Sequence, residues 1–284
     1  MMKILRLLKR IWILNFFRRI YTGSRYFNNK YLEIIKWGFT SKEDTNFTYH
    51  LTQDNLAYLA HTIAVVTKVS HIQIENFIDE AQGDEVLRET ILKAMENSSE
   101  KRFADKEIRF GRRLGWYAFV RAIKPKIIIE TGVDKGLGSV LLCAALLKNR
   151  EEGKEGRYYG TDINPKAGYL LEGKYTEVGE ILYGDSIESL SRFSEKIDLL
   201  INDSDHSAEY EYQEYMTIKH LLTEESIILG DNSHCTSKLA NFSLETDRNF
   251  IFFKETPLKH WYPGAGIGIS FYSFSSRDAP VTRE

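Results

Sequence analysis

Several things are scarce in this sequence, and each scarcity removes a class of protein. Only two cysteines, Cys143 and Cys235, occur in 284 residues. They make no disulfide framework and have no metal-type spacing to each other, so a reducing compartment, the cytoplasm, is the simpler expectation. With five prolines there is no proline-rich low-complexity tract, and no internal repeat is visible. The formal net charge of -2 at pH 7 carries no signature of a nucleic-acid or polyacid partner. A long clean apolar run is also missing. The N-terminal "MMKILRLLKRIWILNFFRRIY" is broken by Lys3, Arg6, Lys9, Arg10, Arg18 and Arg19, too often for a membrane span. No small-residue cleavage site follows it, which argues against a signal peptide.

What is present is ordinary globular material: 43% hydrophobic and 27% charged residues, in a chain long enough for one main domain and a smaller appendage. The basic and apolar N-terminal segment, residues 1–22, leaves open a helix lying on an anionic membrane or packing on a partner. Its basic residues do not gather on one face, which favours an extra helix docked on its own domain. Residues 23–124 read as a helical lead-in. "TQDNLAYLAHTIAVVTKVS" has helical spacing behind a Thr52 cap, "DEVLRETILKAMEN" follows, and "RFGRRLGWYAFVRAIKP" ends before Pro125.

The pattern changes at Lys126, and residues 125–284 form the main domain. "KIIIETG", "GRYYGTDINP", "GEILYGDSIESL", "KIDLLINDSDH" and "ESIILGDN" are short aliphatic runs separated by helical stretches. Strands that are aliphatic on both faces and alternate with helices indicate a parallel α/β sheet. "NFIFFKE" and "GIGISFYSF" flank a Pro-Gly turn and read as an antiparallel closing pair. Each of the five runs delivers a carboxylate at its C-terminal end: Glu130, Asp162, Asp185, Asp203 and Asp231. Ligands of open α/β sheets bind outside those ends. The bland alternative is that the acids only cap helices and make turns.

The first strand-to-helix turn, "ETGVDKGLGS", carries Gly132, Gly136 and Gly138, whose order differs from the dinucleotide Gly-x-Gly-x-x-Gly. Glu130 before them would repel a diphosphate and welcome an amino group. Asp162 is suited to ribose hydroxyls, and Asp185 with Ser186 to an adenine amine. In these motifs residues 126–274 resemble the class I S-adenosylmethionine-dependent methyltransferases. The resemblance implies a Rossmann-like seven-stranded, mostly parallel sheet with an antiparallel last strand, preceded here by a helical N-terminal region. It also implies S-adenosyl-L-methionine held by Glu130, Gly132, Gly136, Asp162, Asp185 and Ser186.

Within that family "INDSDH" and "GDN" resemble the divalent-metal O-methyltransferases of the catechol, caffeoyl-coenzyme A and macrolide-sugar types. The resemblance implies Asp203, Asp231 and Asn232 as ligands of Mg²⁺, which favours an all-oxygen set. It implies His206 as general base toward an acceptor hydroxyl, with His234 as a rival. Asp205 is expected as the N-cap of "SAEYEYQEYMTIKHLL". Asp134-Lys135 in the glycine turn and the long lead-in depart from the family pattern and bear on the substrate. His260, Trp261 and Tyr262 either close over an acceptor or pack under the hairpin. Arg112, Arg113 and Trp116 either cover the cofactor or form a salt-bridged face. The expected activity is O-methylation of a small molecule or sugar-bearing metabolite. The alternatives are a catalytically silent cofactor-binding subunit docking a partner or membrane and, more remotely, an NAD-type oxidoreductase. Homo-oligomerisation stays open.

Overall fold

A computed structural model describes residues 11–43, 47–99, 101–103 and 107–272. The first ten residues of the N-terminal segment and everything after Tyr272, including Phe274, lie outside the described residues. Helix α1 spans Trp12–Thr40, followed by α2 (Gln53–Thr67), α3 (His71–Gly83), α4 (Glu85–Asn97) and α5 (Arg113–Ile123). The alternating part then runs β1 (Ile127–Thr131), α6 (Leu137–Glu151), β2 (Arg157–Asp162), β3 (Gly179–Tyr183), α7 (Ser186–Ser191), β4 (Ile197–Asn202) and α8 (Ala208–Ile218). It closes with β5 (Leu222–Gly230), α9 (Lys238–Glu245), β6 (Asn249–Lys254) and β7 (Gly266–Phe271).

The seven strands form one sheet in the order β3-β2-β1-β4-β5-β7-β6. Only β7 runs against its neighbours, pairing antiparallel with both β5 and β6. This is the Rossmann-like sheet expected from the aliphatic runs, closed as expected by the last two segments. Side chains alternate across it with the period of two that strands impose. Ile128, Leu199, Ile201, Ile227 and Leu229 face one core with α2, α3, α5 and α6. Ile127, Ile129, Leu200 and Ile228 face a second core with Tyr215 and Ile218 of α8 and Leu239 and Phe242 of α9. Burial on both faces is why these strands read as unbroken apolar runs.

The lead-in helices supply much of the first layer. Leu59 and Ile63 of α2, Ile74 of α3 and Trp116 and Phe119 of α5 are all fully or almost fully buried in the same cluster as Val140 and Leu142 of α6. Thr52 caps α2 as expected, accepting from the Asn55 amide. Asp84 caps α4 in the same way through Leu87. The helix expected to end near residue 22 instead runs on to Thr40. Nothing at Gly23 stops it: no proline follows and the apolar phase continues, so a single glycine is tolerated at a cost of about 1 kcal/mol.

β1 lies between β2 and β4, so the chain leaves β1 towards one side and returns on the other. The reversal opens a crevice at the C-terminal ends of those strands, where the five carboxylates arrive.

Candidate active site

Two cavities open at that crevice. The larger, about 510 Å³, is lined by Glu130, Gly132, Asp162, Ile163, Asp185, Ser186, Asp203 and Tyr210 among others. The second, about 330 Å³, is lined by Phe47, Tyr49, Lys135, His234 and Tyr262. Arg112, Arg113, Val133, Asp134, His206 and Asp231 line both, and therefore form the wall at which the two spaces meet.

The first cavity is built around a tight turn after β1. Gly132 has φ +81°, and a Cβ there would stand 2.0 Å from the Asp203 carbonyl oxygen, so only glycine lets the β1 and β4 ends cross. Asp162 holds the next residues: its Oδ2 accepts from the Val133 amide at 3.1 Å and the Asp134 amide at 2.8 Å. Its Oδ1 accepts from the Asn164 amide at 2.8 Å. A carboxylate oxygen has two acceptor positions, so Oδ1 keeps one for a ligand hydroxyl. Gly136, expected beside the methionine part, lines neither cavity; with φ +92° it caps α6 and shapes the turn.

Glu130 is 2% exposed, and its Oε2 accepts from the Ser139 hydroxyl at 2.9 Å and from Tyr158. Burial pushes its pKa up to about 7, despite those hydroxyl donors. Asp185 is more committed than its sequence position suggests. Its Oδ1 caps α7 through the Glu188 amide at 2.9 Å, and Oδ2 accepts from Tyr210 at 2.8 Å. Ser186 donates to Glu214 and sits 2.9 Å from the Tyr210 hydroxyl. Both still line the cavity, but their polar atoms serve the protein first.

Asp203 and Asp231 meet at the dividing wall, and an arginine meets them there. Arg112 Nε pairs with Asp231 Oδ1, and Arg112 Nη1 lies 3.6 Å from Glu255 Oε2. Glu255, 1% exposed, also accepts from the Tyr49 hydroxyl at 2.9 Å and the Arg112 amide at 2.9 Å. Arg113 reaches Asp203 at 3.9 Å and lies over the Trp116 ring. Burial and the neighbouring Asp231 charge hold the Asp203 pKa well above the ordinary carboxyl range. Burial opposes the Asp231 charge too, but Arg112, a hydrogen bond from Asp203 and Arg113 outweigh it and hold that pKa low. Within the pair, these directions make Asp203 the hydrogen-bond donor and Asp231 the acceptor.

Asn232 is fully buried, with its Oδ1 on His206 Nδ1 and its Nδ2 3.4 Å from the Asp205 carbonyl. With the amide oxygen against the ring, Nδ1 carries the proton and Nε2 is left as an acceptor. His234 is turned back on its own turn, with Nδ1 2.9 Å from the Asp231 carbonyl. Asp205 is not the N-cap of α8: Ser207 holds that position, and Asp205 Oδ1 accepts from the Ser207 amide at 2.6 Å in a local turn. The physical reason is reach, since a true cap bonds two or three residues into the helix.

The expected ligand trio is therefore assembled, but not as an open ligand set. Asp231 is engaged by Arg112, Asp203 by Asp231, and the Asn232 oxygen by His206. Among the described residues, no group of three or more His, Cys, Asp or Glu side chains is arranged to hold a metal. Tyr262 lines the second cavity, whereas Trp261 packs edge-on against Trp37 and Phe47. Of the two expectations for the arginines, the salt-bridged face is what forms: Arg112 pairs with Asp231 and Glu255 and Arg113 with Asp203, in the wall that both cavities share. Trp116, 1% exposed, lies beneath them.

Sequence reasoning missed Ile163, an aliphatic residue 79% exposed at the rim of the larger cavity. It also missed Glu214, which is fully buried and accepts from Ser204 at 2.7 Å and from Asn202 and Ser186. That carboxylate ties the ends of β4 and α7 together. Its signal was available: Glu211, Glu214, Tyr215 and Ile218 occupy the inward stripe of α8, where two acids are out of place.

Residues 129–233 match the family model of a methyltransferase domain. No curated protein matches the chain. Solved structures that resemble it include the SAH-bound methyltransferase PaMTH1 of Podospora anserina, with 15% identity over 66% of this chain and 88% of that one, TM-score 0.48. The O-methyltransferase of Bacillus cereus in complex with SAH shares 14% identity over 69% and 98%, TM-score 0.47. The O-methyltransferase TomG of Streptomyces achromogenes, involved in tomaymycin synthesis and solved with SAM, shares 15% over 67% and 90%, TM-score 0.46. Residues 129–233 thus match a methyltransferase domain, and they lie within the Rossmann-like sheet described above. The strand-end groups of the crevice, from Glu130 to Asn232, lie within the matched segment, whereas Phe47, Tyr49, the two arginines, His234, Glu255 and Tyr262 lie outside it.

Proposed function

We propose that the protein transfers the methyl group of S-adenosylmethionine to a hydroxyl of a small-molecule acceptor. The observation that carries this is the shared wall: His206 lines both the acid-rimmed cavity and the aromatic one. The larger cavity takes the cofactor, with Glu130 toward its ammonium, Asp162 toward the ribose, and Ile163 and the Asp185–Ser186 turn toward the adenine. The smaller takes the acceptor, against Phe47, Tyr49 and Tyr262. In the step, the acceptor oxygen forms a bond to the methyl carbon as the carbon–sulfur bond breaks. The bonding pair leaves on sulfur to give S-adenosylhomocysteine, and the hydroxyl proton passes to His206 Nε2. Asn232 positions that ring. Holding the two reactants in line across the wall contributes through orientation.

A resident divalent ion does not fit the donor set as it is arranged. Three oxygens would have to converge on one point, whereas Arg112 already sits against Asp231 and neutralises it. Calorimetry should show binding of S-adenosylhomocysteine and none of NAD. Labelled methyl transfer to a panel of hydroxylated acceptors should persist after exhaustive chelation. His206→Ala should lower kcat by about 10²–10⁴ while leaving S-adenosylhomocysteine affinity unchanged. Activity lost to a chelator and restored by Mg²⁺ would return Asp203 and Asp231 to a metal. An unaffected His206 variant would pass the base role to His234.

A further inference from the structure

Helix α1 has the build of an element that lies on a charged surface. At 100° per residue its large apolar side chains other than Tyr26 and Trp37, among them Phe16, Phe17, Ile20, Tyr31, Leu32 and Ile35, fall on one arc of about 200°. Arg18, Arg25 and Lys36 border that arc on one side and Arg19 and Lys30 on the other. The single acid, Glu33, lies in the polar arc. Within Trp12–Thr40 the basic residues thus keep to the margins of the apolar arc, whereas Lys3, Arg6, Lys9 and Arg10 of the N-terminal segment lie outside the described residues.

The apolar arc is uncovered. Trp12 is 71% exposed, Tyr31 66% and Leu32 67%. The protein holds the helix by its other edge: Lys30 Nζ donates to the His260 carbonyl at 2.6 Å, and Trp37 packs against Trp261 and Phe47. Both residues lie on the margin of the polar arc, so docking leaves the apolar arc facing outward. A crevice at the helix root shares Glu43, Glu107 and Arg109 with the lining of the smaller cavity, so the mouth of that cavity lies beside the attachment point.

We propose that α1 binds the surface of an anionic lipid bilayer, with its apolar arc in the interface and Arg18, Arg19, Arg25 and Lys36 on the headgroups. Three observations select this occupant. Five basic residues against one acid complement anionic lipid, whereas two copies of the same helix would repel each other. An arc of about 200° is much wider than the seam that one partner helix covers. Its rings include Trp12, Tyr21 and Tyr31, side chains that favour the boundary between lipid and water. The helix is about 43 Å long at 1.5 Å per residue, yet no helix among the described residues is long and apolar enough to cross a membrane. It lies on a bilayer; it does not span one.

The test is flotation of the full chain with vesicles of phosphatidylcholine alone or with 30% phosphatidylserine, at low and high salt. Binding should require phosphatidylserine and weaken with salt. Ile20→Glu with Tyr31→Glu, and separately Arg18→Glu with Arg25→Glu, should each weaken binding at least tenfold. Circular dichroism and S-adenosylhomocysteine affinity should stay unchanged, which separates this test from that of the proposed methyl transfer. Failure to float with anionic vesicles would overturn the proposal. So would binding that ignores both double variants, or a dimer in solution that Ile20→Glu with Tyr31→Glu dissociates while vesicles are not bound.

Discussion

Replacing Arg112 with methionine is the sharpest probe of the dividing wall, because it keeps the length of the side chain and removes its charge. The guanidinium pairs with Asp231, which is 5% exposed, and lies 3.6 Å from Glu255, which is 1% exposed. Breaking a buried pair by deleting one partner costs about 3–5 kcal/mol, since the remaining charge keeps its desolvation penalty. That is a large part of the ~5–15 kcal/mol by which domains are stable. Urea unfolding with an unchanged m-value should show the loss, and Arg112→Met with Asp231→Asn should recover much of it. The pH profile gives a second reading. In the wild type the Asp231 pKa lies below its ordinary 3.8, so its contribution is present above that value and lost as pH falls through the depressed folded pKa. Removing Arg112 takes away the largest influence that lowers that pKa, so the folded value moves up and the acid-side loss of stability shrinks. A loss below about 1 kcal/mol, the scale of an exposed ion pair, would refute the reasoning. So would an unchanged acid-side profile.

Two further outcomes follow from the cofactor cavity. The Glu130 pKa of about 7 is raised, so its contribution to stability is fully present below the ordinary 4.5 and lost as pH rises through about 7. Glu130→Gln should flatten unfolding free energy across that window, while in the wild type S-adenosylhomocysteine should bind more tightly as pH rises through about 7; pH-independent affinity would remove Glu130 from the ammonium site. Asp162→Ala should weaken S-adenosylhomocysteine binding by about 1–3 kcal/mol in calorimetry, because it removes a ligand acceptor and frees the Val133 and Asp134 amides that shape the turn. An unchanged affinity would leave Asp162 a purely structural residue.

The sheet was legible in the sequence for a definite reason. β1, β4 and β5 are buried on both faces, so their apolar runs are unbroken, and each ends at an acid and a turn. Periodicity reports such local burial well. It does not report which distant segments meet. Arg112 precedes α5, Asp231 follows β5, Glu255 follows β6 and Tyr49 precedes α2, yet all four converge on one point. Asp231 of that set was visible as a candidate ligand, but Glu255 was not, and Arg112 was legible only as a cover or a salt-bridged face, because an arginine pair in a sequence carries no sign of its burial. The extent of α1 was illegible for a different reason: no cap or proline marks an end near residue 22, and Gly23 alone does not stop the helix.

Carboxylates at the ends of parallel strands invite a reading as ligands, and here their first work is structural. Asp162 fixes the glycine turn by accepting backbone amides, and Asp185 caps α7. Asp203 shares a proton with Asp231, which faces Arg112. Each of these engagements lowers the cost of bringing negative charge into one crevice, by hydrogen bonds, by protonation or by an opposite charge. They also decide what is left over for chemistry. One acceptor position remains on Asp162, one carboxyl near its neutral point on Glu130, and one bare ring nitrogen on His206 held by Asn232. Under the proposed function these three groups would face, in turn, the ribose, the ammonium and the oxygen to be methylated. Motif spacing could nominate all five strand-end acids equally. Only the inventory of their protein partners separates the groups that hold the crevice open from those that face what enters it.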